Sequence, residues 1–251
     1  MKNMSLNAKL FISAMVAAGL VTLAVGLMRW ECRDTVRCLS FLTITLLASR
    51  LKVKLPGTNG NMSVNLPFML IAVAVLSFSE TVLIAAASAL IQGLPVRDKG
   101  LKPVQAMFNV STLVVAVSVA TLAYKYSAMI PSLAAKSLLV ALAGVAFLVA
   151  DTLPVAGIIS LTEGLNLVKV WRDMLELTFP YFALSAGIAA IAATATRYVG
   201  WPTPLLMLPV MAMSYRSFKR YFRLPAAVAV ANLQFATLPA GARERAEIQH
   251  L

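Results

Sequence analysis

The chain has 251 residues, 60% of them apolar and 13% charged, where soluble domains carry roughly 45–50% and about 25%. A mean hydropathy of +0.82 over the whole length excludes an ordinary water-soluble fold and points to an all-α, polytopic transmembrane helix bundle. The net charge of +12 does not mark a nucleic-acid binder, because the 22 Lys and Arg lie mostly in short stretches between apolar blocks, where such residues set topology.

The first apolar block, Leu10 to Met28, follows Lys2 and Lys9 and resembles a signal peptide at first sight. At nineteen residues it exceeds the usual core of about 7–15, and Arg29-Trp30 stands where a small-residue cleavage site would be. It is therefore expected to be a retained first helix. Blocks bounded by charge, Pro and Gly then predict eight spans, at 9–28, 36–50, 63–78, 80–95, 104–124, 138–162, 177–197 and 202–215, within a range of six to eight. Unbroken runs such as Leu138 to Ala150 exclude a transmembrane β-barrel, whose strands alternate in polarity.

The second, third, fourth and eighth spans fall short of a full crossing and are expected to be tilted, enclosed by protein or re-entrant. The pair 63–78 and 80–95, separated only by Ser79, either crosses twice or dips in and returns. Asp151-Thr152-Leu153-Pro154 near the middle of 138–162 predicts either one kinked helix or two half-helices. Residues 1–222 form the expected membrane domain, and 223–251 a short cytoplasmic tail of poor order.

With the N-terminus in the cytoplasm, the eight spans place sixteen Lys and Arg inside and six outside, the latter being Arg29, Arg33, Arg37, Lys125, Lys136 and Arg197. That asymmetry obeys the positive-inside rule and predicts that both termini are cytoplasmic in a bacterial inner membrane.

Leu55 to Pro67 is rich in Gly, Pro and Asn and reads either as a tight cap between helices or as a turn presenting amides to a ligand. Polar residues inside or at the ends of spans are Asn65, Glu80, Gln92, Gln105, Asn109, Asp151 and Glu163. Ionisable groups at membrane depth are costly and mark functional sites by default. Asp151 is the only mid-span acid, and is expected to face the interior and find a partner in Asn109, Gln105 or backbone freed by Pro154. Asn65, Gln92, Gln105, Asn109, Asp151 and Glu163 are the candidate small-molecule-binding residues.

Arg216, Lys219, Arg220 and Arg223, with aromatic residues interleaved, are suited either to anchoring topology or to contacting lipid headgroups or a partner. Cys32 and Cys38 make neither a disulfide framework nor a metal site, and the single histidine is His250. A serine-histidine, di-aspartate or zinc intramembrane protease therefore lacks its residues. No enzyme activity and no cofactor are expected.

Leu55-Pro-Gly-Thr-Asn-Gly-Asn-Met-Ser-Val-Asn65, Ser79-Glu80-Thr81-Val82, Leu90-Ile-Gln92, Lys102-Pro-Val-Gln105, Phe108-Asn109-Val110, Asp151-Thr-Leu-Pro154, Ile159-Ser-Leu-Thr-Glu-Gly164 and Leu208-Pro-Val210 occur in this order. Together they resemble the membrane-embedded N-terminal input domain of bacterial signalling proteins that carry a GGDEF or HD-GYP output domain, over about residues 35 to 222. The resemblance implies a non-enzymatic sensory module of the type that precedes cyclic-dinucleotide enzymes. Tyr215 to Phe222 matches the exit toward such an enzyme, whereas Leu224-Pro225 onward departs from it and no output domain follows. The module is thus expected to be standalone or shortened.

A weaker likeness, over Ser63 to Leu94, is to the substrate-binding subunit of energy-coupling-factor transporters, which implies a small-molecule transport component instead. Expected partners are membrane lipids, with a small-molecule ligand, a second copy of the chain or a cytoplasmic signalling protein as further candidates.

Overall fold

A computed structural model describes residues 5–32, 34–54, 61–63, 65–94, 103–129, 136–199, 208, 209, 212, 213 and 215–217. Seven helices with assigned bounds run in chain order: α1 (Leu6–Met28), α2 (Thr35–Arg50), α3 (Leu66–Val75), α4 (Phe78–Gly93), α5 (Pro103–Ala128), α6 (Lys136–Glu163) and α7 (Leu167–Val199). Two short strands, β1 (Lys52–Lys54) and β2 (Asn61–Ser63), pair with each other. The chain is a helical membrane bundle, and four helices (α1, α5, α6 and α7) are long and apolar enough to cross a bilayer.

The chain divides into two units. One comprises residues 1–51 and 63–208 and holds all seven helices; the other comprises 52–62 and 209–251. In the second unit Arg216 is exposed and helical, while Lys219, Arg220, Arg223 and the expected tail lie outside the described residues. Most of the expected span 202–215 lies outside them too.

Within the first unit, successive helices run in opposite directions, as contacts at both ends show. At one end, Ser5 at the start of α1 donates to the Leu161 carbonyl near the end of α6, at 3.5 Å. At the other end, the turn between α3 and α4 is fastened to the segment after α1: Ser77 Oγ donates to the Glu31 carbonyl at 2.8 Å, and Ser79 Oγ to the Arg29 carbonyl at 2.7 Å. The pair 63–78 and 80–95 is thereby an antiparallel hairpin turning at Leu76 and Ser77.

Helix α3 is ten residues long, about 15 Å at 1.5 Å per residue, which is half a bilayer core. Leu66 to Val73 are all buried, and α3 packs against α2, α4, α5, α6 and α7. A short helix suffices there because protein, rather than lipid, covers its ends. Its apolar character on every face is what full enclosure requires.

The start of α4 is fixed by a capping box. Ser77 Oγ accepts from the Glu80 N–H at 3.2 Å, while Glu80 Oε2 accepts from the Ser77 N–H at 2.8 Å. Glu80, which the sequence places at a span boundary, is completely buried; its cap bond accounts for that, since it satisfies the first-turn donors from within the bundle.

Helix α6 is one continuous helix with Pro154 inside it, so the half-helix alternative does not hold. It ends at Gly164, whose φ of +69° reverses the chain at little cost. Asn166 Oδ1 then accepts from the N–H groups of Val168 and Lys169, starting α7 ten residues before the expected span. The charges at 169–176 read as loop in the sequence, but Arg172 and Glu176 form an exposed i,i+4 pair at 3.1 Å on a helical turn.

Candidate functional site

Two polar features of the first unit could bind or respond, and they lie at opposite ends of α3. The first is a fastening at the α3 N-terminus. Asn65 Nδ2 donates to Ser88 Oγ of α4 at 2.7 Å and reaches Ser49 Oγ of α2 at 3.4 Å, and the two serine hydroxyls bond to each other. All three residues are buried. Asn65 is therefore taken up in joining α2, α3 and α4, the role that small polar side chains serve between membrane helices.

The remaining predicted binding residues lie on three helices, α4, α5 and α6. Gln92 is half-buried near the end of α4, while Gln105 and Asn109 are exposed in the first two turns of α5. Glu163 is exposed as the last residue of α6. Asp151 is half-buried in α6, within electrostatic range of Tyr181 on α7. No hydrogen bond joins it to Asn109 or Gln105 among the described residues; both turn to the exposed face of α5, away from the partnership expected of them. The polar group that α6 does share with α7 is the neighbouring Thr152, whose Oγ1 donates to the Leu148 carbonyl and accepts from Trp171 Nε1 at 3.0 Å.

The second feature is a cavity of about 860 Å³ at the other end of the bundle, within the size range of small-molecule sites, roughly 300–1,000 Å³. Four structural parts build it: the last turns of α1 with the segment after it, the first turn of α2, the α3–α4 turn, and the last turns of α5. Val21, Val25, Leu76, Phe78 and Leu122 give it apolar walls, while Arg29, Arg37 and Lys125 supply three cations against the single carboxylate of Glu31.

None of these charges is in an ion pair among the described residues. The ion pair of Arg172 with Glu176 is the only one among the described residues. Arg37 Nε is buried with no hydrogen-bond partner among the described residues, and so is Glu80 Oε1 behind the Ser77–Ser79 wall. Ser77, Ser79 and Ser118 also line the cavity, but their hydroxyls already donate to backbone carbonyls. The cations are thus the uncommitted donors.

A second, purely apolar groove between α1, α5 and α6 has walls such as Met15, Val119 and Val145 and offers no group for specific recognition. Sequence reading missed the cationic cavity because Arg29, Arg37 and Lys125 are 96 residues apart at the extremes and each reads singly as a loop charge. The signal was present, however: all three belong to the small set that charge counting assigns to the minority side of the membrane.

Among the described residues no cluster of His, Cys, Asp and Glu could hold a metal ion, and Cys32 and Cys38 are free. Comparison with known families gives one match: residues 20–223, about four-fifths of the chain, fit the model of the family MASE9. No curated protein and no solved structure matches the chain.

Proposed function

The chain belongs to the MASE9 family of membrane-associated sensory domains, and from that premise we propose that it is a non-catalytic input module of the bacterial inner membrane. Both termini lie in the cytoplasm, and the cavity ringed by Arg29, Arg37 and Lys125 opens on the opposite side. The observation that carries this reading is the place of the cavity: its walls come from α1, α2, the ends of α3 and α4 at their turn, and α5, so an occupant touches five helices at once. An occupant preferring one packing of those helices shifts the bundle toward it.

The shift travels along α1 and α5 to the end where Ser5 meets Leu161 and Asn65 meets Ser49 and Ser88. From there it passes to a cytoplasmic signalling partner, of which a cyclic-dinucleotide enzyme is the type that the resemblance implies. Asn65 serves this reading by keeping α2, α3 and α4 moving as one body.

The test joins a diguanylate cyclase catalytic domain in line after Leu251 and measures cyclic di-GMP in cells. Val25→Trp, which fills the cavity from its α1 wall, should change output by about fivefold or more, the lower range of a typical coupling energy. Val145→Trp, in the apolar groove, should leave it near the wild-type value. Equal output from all three chains at equal membrane levels would refute the sensory reading.

A further inference from the structure

Resting on the reading of the cavity as the input site, we infer that its ligand is an anionic amphiphile, with an acidic head held by Arg29, Arg37 and Lys125 and an apolar body lying along Val21, Val25 and Leu122. Three observations converge on that chemistry.

The first is the charge. Three cations and one carboxylate face a single cavity, and none of them is in an ion pair among the described residues. Three cations beside one carboxylate leave a net positive lining whose members repel, most strongly beside low-dielectric walls. A carboxylate or phosphate entering the ring removes that repulsion, whereas a cation adds to it.

The second is Arg37, which lines the cavity and whose buried Nε has no acceptor among the described residues. A guanidinium N–H withdrawn from water without a partner is costly, and an arginine fork is suited to planar or tetrahedral anions. Asp34 does not fill the role: its Oδ1 accepts from the Arg37 backbone N–H as the α2 cap, and no ion pair joins it to the guanidinium among the described residues.

The third is the shape and position. The apolar residues lie on the bilayer side of the ring, because Val21 and Val25 precede Arg29 by two turns and one turn of α1 and Leu122 precedes Lys125 by one turn of α5. The Val25 and Leu122 side chains are exposed, so the wall of the cavity is open toward the acyl region. A free inorganic anion would leave that wall empty, and an uncharged lipid would leave the cations unmet.

Two sources supply this chemistry, a free medium-chain acid and an anionic phospholipid headgroup, and the test separates them. The full chain is placed in phosphatidylcholine nanodiscs and titrated with radiolabelled decanoate or dioctanoyl-phosphatidylglycerol, taking empty discs as background. Saturable binding of decanoate alone identifies the free acid; saturable binding of phosphatidylglycerol, alone or with decanoate, identifies the headgroup. In either case the double variant Arg29→Gln/Lys125→Gln should bind ~10-fold or more weakly, the loss expected for charge-assisted contacts. The charge-keeping Arg29→Lys/Lys125→Arg should retain most binding.

Both positions are exposed, so the variants should elute and report helicity as the wild type does. No saturable binding of either anion, equal competition by decanol or decylammonium, or a double variant that binds like wild type would overturn the inference. Binding is read directly and not through output, so its failure leaves the sensory reading to stand or fall on the cyclase fusion.

Discussion

Gly19→Val should separate α1 from α5 and lower the stability of the bundle by ~1–3 kcal/mol or more, the range for overpacking a closed interface. A Cβ built at Gly19 would lie 2.5 Å from Ser111 Cβ and 2.6 Å from Ser111 Cα. The second atom is backbone, so no rotamer change relieves the clash; the helices must move apart. In a membrane the loss is not softened by a hydrophobic drive to reassociate, because lipid tails are as apolar as the helix faces and close packing supplies the attraction. Gly187 on α7 is the control: nothing lies within 4 Å of the Cβ it would carry, so Gly187→Ala should be neutral or slightly stabilising. Unfolding by SDS titration from mixed micelles measures both, and a Gly19→Val chain as stable as wild type would show that α1 and α5 do not cross there.

The second large effect is expected at Phe147, which joins α6 to α7. Its side chain is fully enclosed, and its ring lies 6.0 Å from that of Phe182 at 45°, with Tyr181 edge-on to Phe182 at 6.1 Å. Phe147→Ala should cost ~3–5 kcal/mol through the cavity left behind. Phe147→Leu keeps most of the volume and should lose mainly the ring pairing, about 0.5–1.5 kcal/mol. In a double-mutant cycle with Phe182→Leu the coupling should fall in that same range; additivity of the two single changes would remove the aromatic contact from the account.

Much of the architecture is legible in the sequence because in a bilayer the backbone must be satisfied within each segment, so apolar blocks and their charged edges mark helices directly. Seven of the eight expected spans correspond to α1 to α7. The reading falters where polarity depends on context. Lys169, Arg172, Asp173 and Glu176 look like a loop by composition, yet continue α7 as a helix with an exposed ion pair. Glu80 looks like an interfacial charge, yet is wholly buried because Ser77, three residues before it, completes a capping box; that S-x-x-E pattern was available in the sequence and names the helix start. Leu55 to Pro67 is open to two readings; within it Asn61 to Ser63 form β2, which pairs with β1 just before the segment.

The candidate site was the least legible part. Polar residues within spans were the natural choice, since a charge in lipid is costly. Asn65, however, meets Ser49 and Ser88, hydroxyls that no spacing in the sequence pairs with it. The cationic ring is a tertiary feature assembled from helix ends, where charged residues are ordinary and draw no notice singly. Only the excess of cations over the one lining carboxylate, with no ion pair to Arg29, Arg37 or Lys125 among the described residues, sets it apart.

The central claim is that occupation of the cavity repacks the helix ends around it. Spin labels at Leu27 on α1 and Met129 after α5, both exposed and flanking the cavity, report this in nanodiscs once Cys32 and Cys38 are replaced by serine and alanine. On saturation with whichever anionic amphiphile binds, the pulsed-dipolar distance distribution should move by about 1–2 Å or redistribute between two maxima, the scale of helix shifts in known switches. A distribution unchanged at saturation would contradict the account.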